Sequence, residues 1–118
     1  DGFSIGSNDL TQLTYGIDRD STLLTDNLET DAAVLQLIRI AVEGAHAAGK
    51  CIGICGEAPA RSDSFVRFLV KLGIDYISVN PASVLPVLRA CAAAEKDFAT
   101  RSMAKKTTPL KEEANREA

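Results

Sequence analysis

Apolar and polar positions along the chain change period several times, and each change marks an element. Gly2-Phe3-Ser4-Ile5 is a short apolar stretch closed by Gly6 and reads as a strand. Asn8 to Tyr15 follows as a short helix, with Ser7 or Asn8 as its cap. Residues 16–30 are polar and turn-rich and read as a long loop. Asp31 then caps an amphipathic helix to about Ala48, in which Val34, Leu37, Ile38, Ala41 and Ala45 share a face. Gly49 stops it. Lys50 to Cys55 is a strand with little polar alternation, so coverage of both faces is expected, as in a parallel sheet. Gly56 to Arg61 reads as a loop. Ser62 caps a helix through Leu72, with Phe65, Phe68, Leu69 and Leu72 on one face and Gly73 as its terminator. Tyr76 to Val79 is a third strand, broken by Asn80-Pro81. A last helix is expected from about Ser83 to Lys96, with Pro86 tolerated in its first turn.

Strands alternating with helices predict βαβ units, right-handed crossovers and a parallel sheet, hence an α/β fold. Three strands are few for such a sheet and leave long edges bare. The pattern therefore fits either a small open α/β layer or part of a larger barrel. Residues 1–96 hold all of these elements and form one domain. From Asp97 the composition turns polar, and residues 97–118 read as a disordered or loosely helical tail.

Composition narrows the class. Hydrophobic residues make up 46% and charged residues 25% of the 118, the balance of a globular domain. Aromatics are only 5%, so the core must be aliphatic. A formal charge of -3 gives no electrostatic reason for a nucleic-acid or membrane partner. No apolar run is long enough to cross a bilayer, and no signal-peptide pattern opens the chain, so a cytoplasmic protein is expected. The abrupt start at Asp1 in an apolar stretch leads us to expect a piece of a longer protein. Cys51, Cys55 and Cys91 are an odd number at spacings that suit neither a redox pair nor a zinc site, so they read as reduced thiols, Cys51 and Cys91 as small buried hydrophobes.

Polar residues at the C-terminal ends of parallel strands converge on one place. Here those are Gly6-Ser7-Asn8-Asp9, Cys55-Gly56-Glu57 and Asn80-Pro81. Glycine lets backbone N–H groups approach an anion, Asn8 can hydrogen-bond a carboxylate or enolate oxygen, and Asp9 offers a hard oxygen to magnesium. The same spacing serves equally as a helix cap with an acidic first turn. Cys55 fits a general acid or base, or a buried structural thiol. Arg19, in Asp18-Arg19-Asp20-Ser21, fits a phosphate clamp or a surface charge. Glu57 fits a site hydrogen bond or a loop charge. His46, late in a helix, reads as a surface or helix-dipole partner.

Taken together, three ordered blocks resemble the phosphoenolpyruvate (PEP) synthase, or pyruvate, water dikinase, branch of the PEP-utilising enzyme family. They are Asp1 through Thr14, Gly53-Ile54-Cys55-Gly56-Glu57, and Gly73 through Pro81. Related forms occur in pyruvate phosphate dikinase and in Enzyme I of the sugar phosphotransferase system. The resemblance implies the last three βα units of a (β/α)8 barrel that binds pyruvate or PEP with Mg²⁺. It implies Asp9 as a magnesium ligand, and Gly6, Ser7, Asn8 and Arg19 as substrate contacts. It makes Cys55 the acid/base at the pyruvate methyl carbon. The family's reaction converts pyruvate, ATP and water to PEP, AMP and phosphate through a phosphohistidine on a separate domain. His46 does not resemble that motif. The nucleotide-binding domain, the earlier barrel strands and a second magnesium carboxylate are then expected as partners outside these residues. Barrels of this family also commonly dimerise. The isolated chain is expected to be inactive.

Overall fold

A computed structural model describes residues 1–18 and 28–107, with side chains to residue 105. Three strands, β1 (Phe3–Gly6), β2 (Ile52–Cys55) and β3 (Tyr76–Ser78), form one parallel sheet in the order β1-β2-β3. The helices between them are α1 (Ser7–Tyr15), α2 (Ala32–Ala47), α3 (Ala58–Arg61) and α4 (Asp63–Leu72), and α5 (Val84–Thr107) follows β3. Short 3-10 turns occupy Leu28–Thr30 and Pro81–Ser83. The expected α/β class with parallel strands is present.

Alternation fixes which strand residues reach the core. Ile5, Ile52 and Ile54 point to one face and pack against Val34, Ile38, Val42 and Ala45 of α2 and Phe65 and Leu69 of α4. Full burial of an Ile, Leu or Phe side chain is worth about 1.5–3 kcal/mol, so this cluster is the main source of stability. The buried stripe of α2 differs from the expected one. Leu37 is 41% exposed and Val42 is fully buried. The helix presents its 34-38-42-45 row to the sheet, because packing angle, not local period, chooses among rows that the sequence makes nearly equal.

Among the described residues no helix covers the other face of the sheet, so the coverage expected for both faces of β2 is met only in part. Cys55 is exposed there, and Gly53 is buried with the Tyr76 ring lying against it. A Cβ at Gly53 would stand 2.0–2.3 Å from that ring. Tyr76 thereby crosses β2, and its hydroxyl donates to the Phe3 carbonyl at 3.2 Å.

Local signals place most ends correctly. Asp31 accepts from the Ala33 N–H at 3.0 Å, and Ser62 accepts from the Phe65 N–H at 3.2 Å. Gly73 ends α4 at φ 80. Two boundaries differ. The expected 56–61 loop contains α3, where Pro59 suits the first turn and the Glu57–Arg61 pair spans one helical step. α5 continues to Thr107, so the first part of the tail is helical, and residues 108–118 lie outside the described ones. Arg67 of α4 holds that extension: its guanidinium donates to Asp97 at 2.6 Å and lies 5.7 Å from the Phe98 ring centre. Cys51 is exposed and Cys91 half-buried, not fully buried. Cys51 immediately precedes β2, and Cys91 lies on α5 in the groove it shares with β3. No helix among the described residues is long and apolar enough to cross a membrane.

Candidate functional site

Strand register decides what stands beside what. Gly6 pairs with Cys55, and Cys55 with Ser78, so the last residues of β1, β2 and β3 lie abreast at one end of the sheet. From Gly6 the backbone turns directly into α1. Gly6 itself is the N-cap, at φ -85 and ψ 104, and no side chain caps this helix. The expected cap at Ser7 or Asn8 is therefore corrected: both residues lie inside the first turn. Their backbone N–H groups, with that of Asp9, belong to the helix end that carries partial positive charge. The Asp9 carboxylate folds back over this turn, with Oδ2 only 3.1 Å from where a Cβ of Gly6 would lie.

Ser7 is fully buried. Its hydroxyl donates to Glu29 Oε1 at 3.3 Å, and its carbonyl accepts from the Thr11 hydroxyl at 2.8 Å. Gly56, the residue after Cys55, passes against it. At φ +130 Gly56 has a conformation that side chains rarely adopt, and a Cβ there would lie 2.0 Å from Ser7 Oγ and 3.6 Å from Asn8 Oδ1. The end of β2 and the start of α1 are thus in direct contact. The sequence placed Glu29 in a featureless polar loop. Its burial against Ser7 was missed because a carboxylate in a polar segment carries no local sign of burial.

The remaining candidates divide. The Cys55 thiol is exposed beside Gly6, on the helix-free face. Asn8 is half-buried and Asp9 exposed on the same end. Asn80 is engaged as a cap, its Oδ1 accepting from the Ser83 N–H at 3.0 Å and from the Ser83 hydroxyl at 2.9 Å. Glu57 is paired with Arg61 along α3. Arg19 lies outside the described residues. Among the described residues no group of three or more His, Cys, Asp or Glu side chains could hold a metal ion. Asp9, exposed at this end, offers one hard oxygen, and magnesium usually takes one or two carboxylates and fills its shell with substrate oxygens and water.

The shifted titratable groups serve the scaffold. Asp75 sits below the usual carboxylate range because it accepts from the Ile52 N–H at 2.8 Å and then from His46 Nε2, 3.0 Å away. Asp31 is lowered mainly by the Tyr15 hydroxyl, and Tyr15 is raised by the same bond. Asp97 is lowered by Arg67. Burial, and secondarily Glu95, raises the Cys91 thiol.

Residues 1–96 match the family described as PEP-utilising enzyme, PEP-binding domain. The chain is 54% identical over 97 residues to a phosphoenolpyruvate synthase of Synechocystis sp., covering 81% of this chain. It is 52% identical over 99 residues to one of Aeropyrum pernix, again across 81% of this chain, and 50% identical over 99 residues to one of Helicobacter pylori, across 83%. The matched stretch amounts to 12% of the length of each of these relatives.

Proposed function

We infer the function from one premise: this chain belongs to the PEP-utilising enzyme family and matches its PEP-binding domain over residues 1–96. The proposal is that it binds pyruvate and PEP at the C-terminal ends of β1–β3, as part of a synthase that makes PEP from pyruvate, ATP and water. The observation that carries it is the register: Gly6 beside Cys55, with Gly56 pressed on Ser7 and Asn8. That arrangement gathers at one strand end Gly6, Ser7, Asn8 and Cys55, which the resemblance assigns to substrate and to proton transfer. The relatives named above are all synthases, which favours that parent over the phosphate dikinase or Enzyme I.

In this reading the N–H groups opening α1 face the substrate's anionic oxygens, where fixed donors cost no reorganisation. Gly6 and Ser7 contribute backbone, Asn8 contributes its amide, and Arg19 takes the phosphate. Asp9 would hold Mg²⁺, which supplies positive charge to the substrate oxygens. Cys55, as thiolate, removes a proton from the pyruvate methyl carbon as the carbonyl oxygen accepts the phosphoryl group. In the reverse direction the thiol returns the proton to carbon. The three strands are the last of a (β/α)8 barrel. Partners of the chain are the earlier barrel strands, a nucleotide-binding domain and a phosphohistidine domain. The site of action is the cytoplasm, and the isolated chain has no dikinase activity.

The test is Cys55→Ala in the complete natural protein. Exchange of the pyruvate methyl protons with solvent deuterium should fall by about 10²- to 10⁴-fold, the usual reach of acid–base catalysis. Mg²⁺-supported PEP binding should persist. Methyl exchange at the unaltered rate would remove Cys55 from the mechanism.

A further inference from the structure

Glu29 belongs to no assigned role, yet it is a carboxylate only 9% exposed, set beside the proposed substrate end. A buried carboxylate is costly unless hydrogen bonds serve it, so its partners are held as firmly as it is. One of them is the hydroxyl of Ser7, itself fully buried, 22 residues away in the chain. Behind Ser7 stands Gly56, with no room for a side chain between them. Ser7 is therefore fixed from two sides, by Glu29 and by the strand end that carries Cys55.

We propose that Glu29 is a positioning residue for this site: by accepting the Ser7 hydroxyl it sets the first turn of α1, and so the Ser7, Asn8 and Asp9 groups that meet the substrate. A hydroxyl donating to a carboxylate has no proton left for a ligand. Ser7 accordingly meets substrate through its backbone N–H, and its side chain serves as the anchor. The turn Leu28–Thr30 holds Glu29 directly ahead of α2, which ties the helix packed on the core to the mouth of the site.

The inference rests on the PEP-binding reading, and two independent readouts separate them. The first is Mg²⁺-supported PEP affinity in the complete natural protein. The second, without ligand, is amide hydrogen exchange across residues 7–15. Glu29→Ala and Ser7→Ala should each weaken affinity about tenfold, the worth of one charge-assisted hydrogen bond, and speed exchange in α1. The double variant should be no weaker than either single, because both remove the same bond. Glu29→Gln keeps an acceptor oxygen and should stay within about twofold. Glu29→Met, with volume but no acceptor, replaces the alanine variant if that does not fold. Additive losses in the double variant, or a glutamine variant as weak as alanine, would overturn the proposal. If the unaltered protein binds no PEP, the functional reading fails. The exchange readout then decides alone, and unchanged α1 protection in Glu29→Ala refutes the anchoring role.

Discussion

Gly53 and Gly56 lie on either side of Ile54-Cys55, and each is glycine for a different reason. At Gly53 the obstacle is the Tyr76 ring, 2.0–2.3 Å from any added Cβ. Gly53→Ala should push the ring off β2, break its bond to the Phe3 carbonyl and cost about 1–3 kcal/mol in denaturant unfolding. In a Tyr76→Ala background, where the ring and its bond are already gone, Gly53→Ala should add little further loss. At Gly56 the obstacles are φ +130 and Ser7 Oγ at 2.0 Å. Gly56→Ala should cost a similar ~1–3 kcal/mol of backbone strain. It should also displace Ser7 and weaken PEP binding in the complete protein, as Gly53→Ala does far less. Equal affinities for the two variants would contradict the contact between Gly56 and the start of α1. Neither distinction is legible in the sequence, where both glycines sit in one Gly-Ile-Cys-Gly run.

Elements are joined here by a few polar ties that outlast local periodicity. Ser62→Ala removes the cap of α4 and should lower unfolding free energy by about 1 kcal/mol, measurable by thermal melting. The tie between β2 and β3 is Asp75, whose carboxylate accepts from the Ile52 N–H while its own N–H donates to the Ile52 carbonyl at 3.0 Å. His46 at the end of α2 adds a second contact. The Asp75 pKa is lower folded than unfolded, so the stability it contributes is present above the ordinary carboxylate value. That stability is lost as pH falls through the lowered folded value. Asp31 and Asp97 shift the same way. Thermal midpoints should therefore drop on acidification below the carboxylate range, and Asp75→Asn should flatten part of that slope. A variant with the same acid profile as the parent would exclude Asp75 from it. The caps at Asp31 and Ser62 were readable because each acts on an N–H two or three residues on. Asp75 was not, because its partners are 23 and 29 residues away.

For the molecule as a whole, the sheet has two open edges among the described residues. Beside β1 lies a groove of about 470 Å³ lined by Phe3, Ile40, Ala41 and Ala45. Beside β3 lies one of about 460 Å³ lined by Ile77, Val84, Val87, Leu88 and Cys91. Val84 and Leu88 are 47% and 60% exposed, and bare parallel edges are templates for further pairing. The chain by itself is expected to self-associate as concentration rises. Light scattering that finds a strict monomer throughout would count against pairing through these edges.

The sequence by itself determined the α/β class, the strand order along the chain, the caps of α2 and α4 and the family resemblance. Those rest on period, capping and contiguous motifs, which act between near neighbours. Only the tertiary structure decided that α2 buries its 42 and not its 37 position, that among the described residues one sheet face stays open beneath Cys55, and that the Ser7 hydroxyl donates to Glu29. The physical reason is shared. Each depends on register or packing angle between segments far apart in the chain, and a one-residue change in either alters which side chains meet without altering any local pattern.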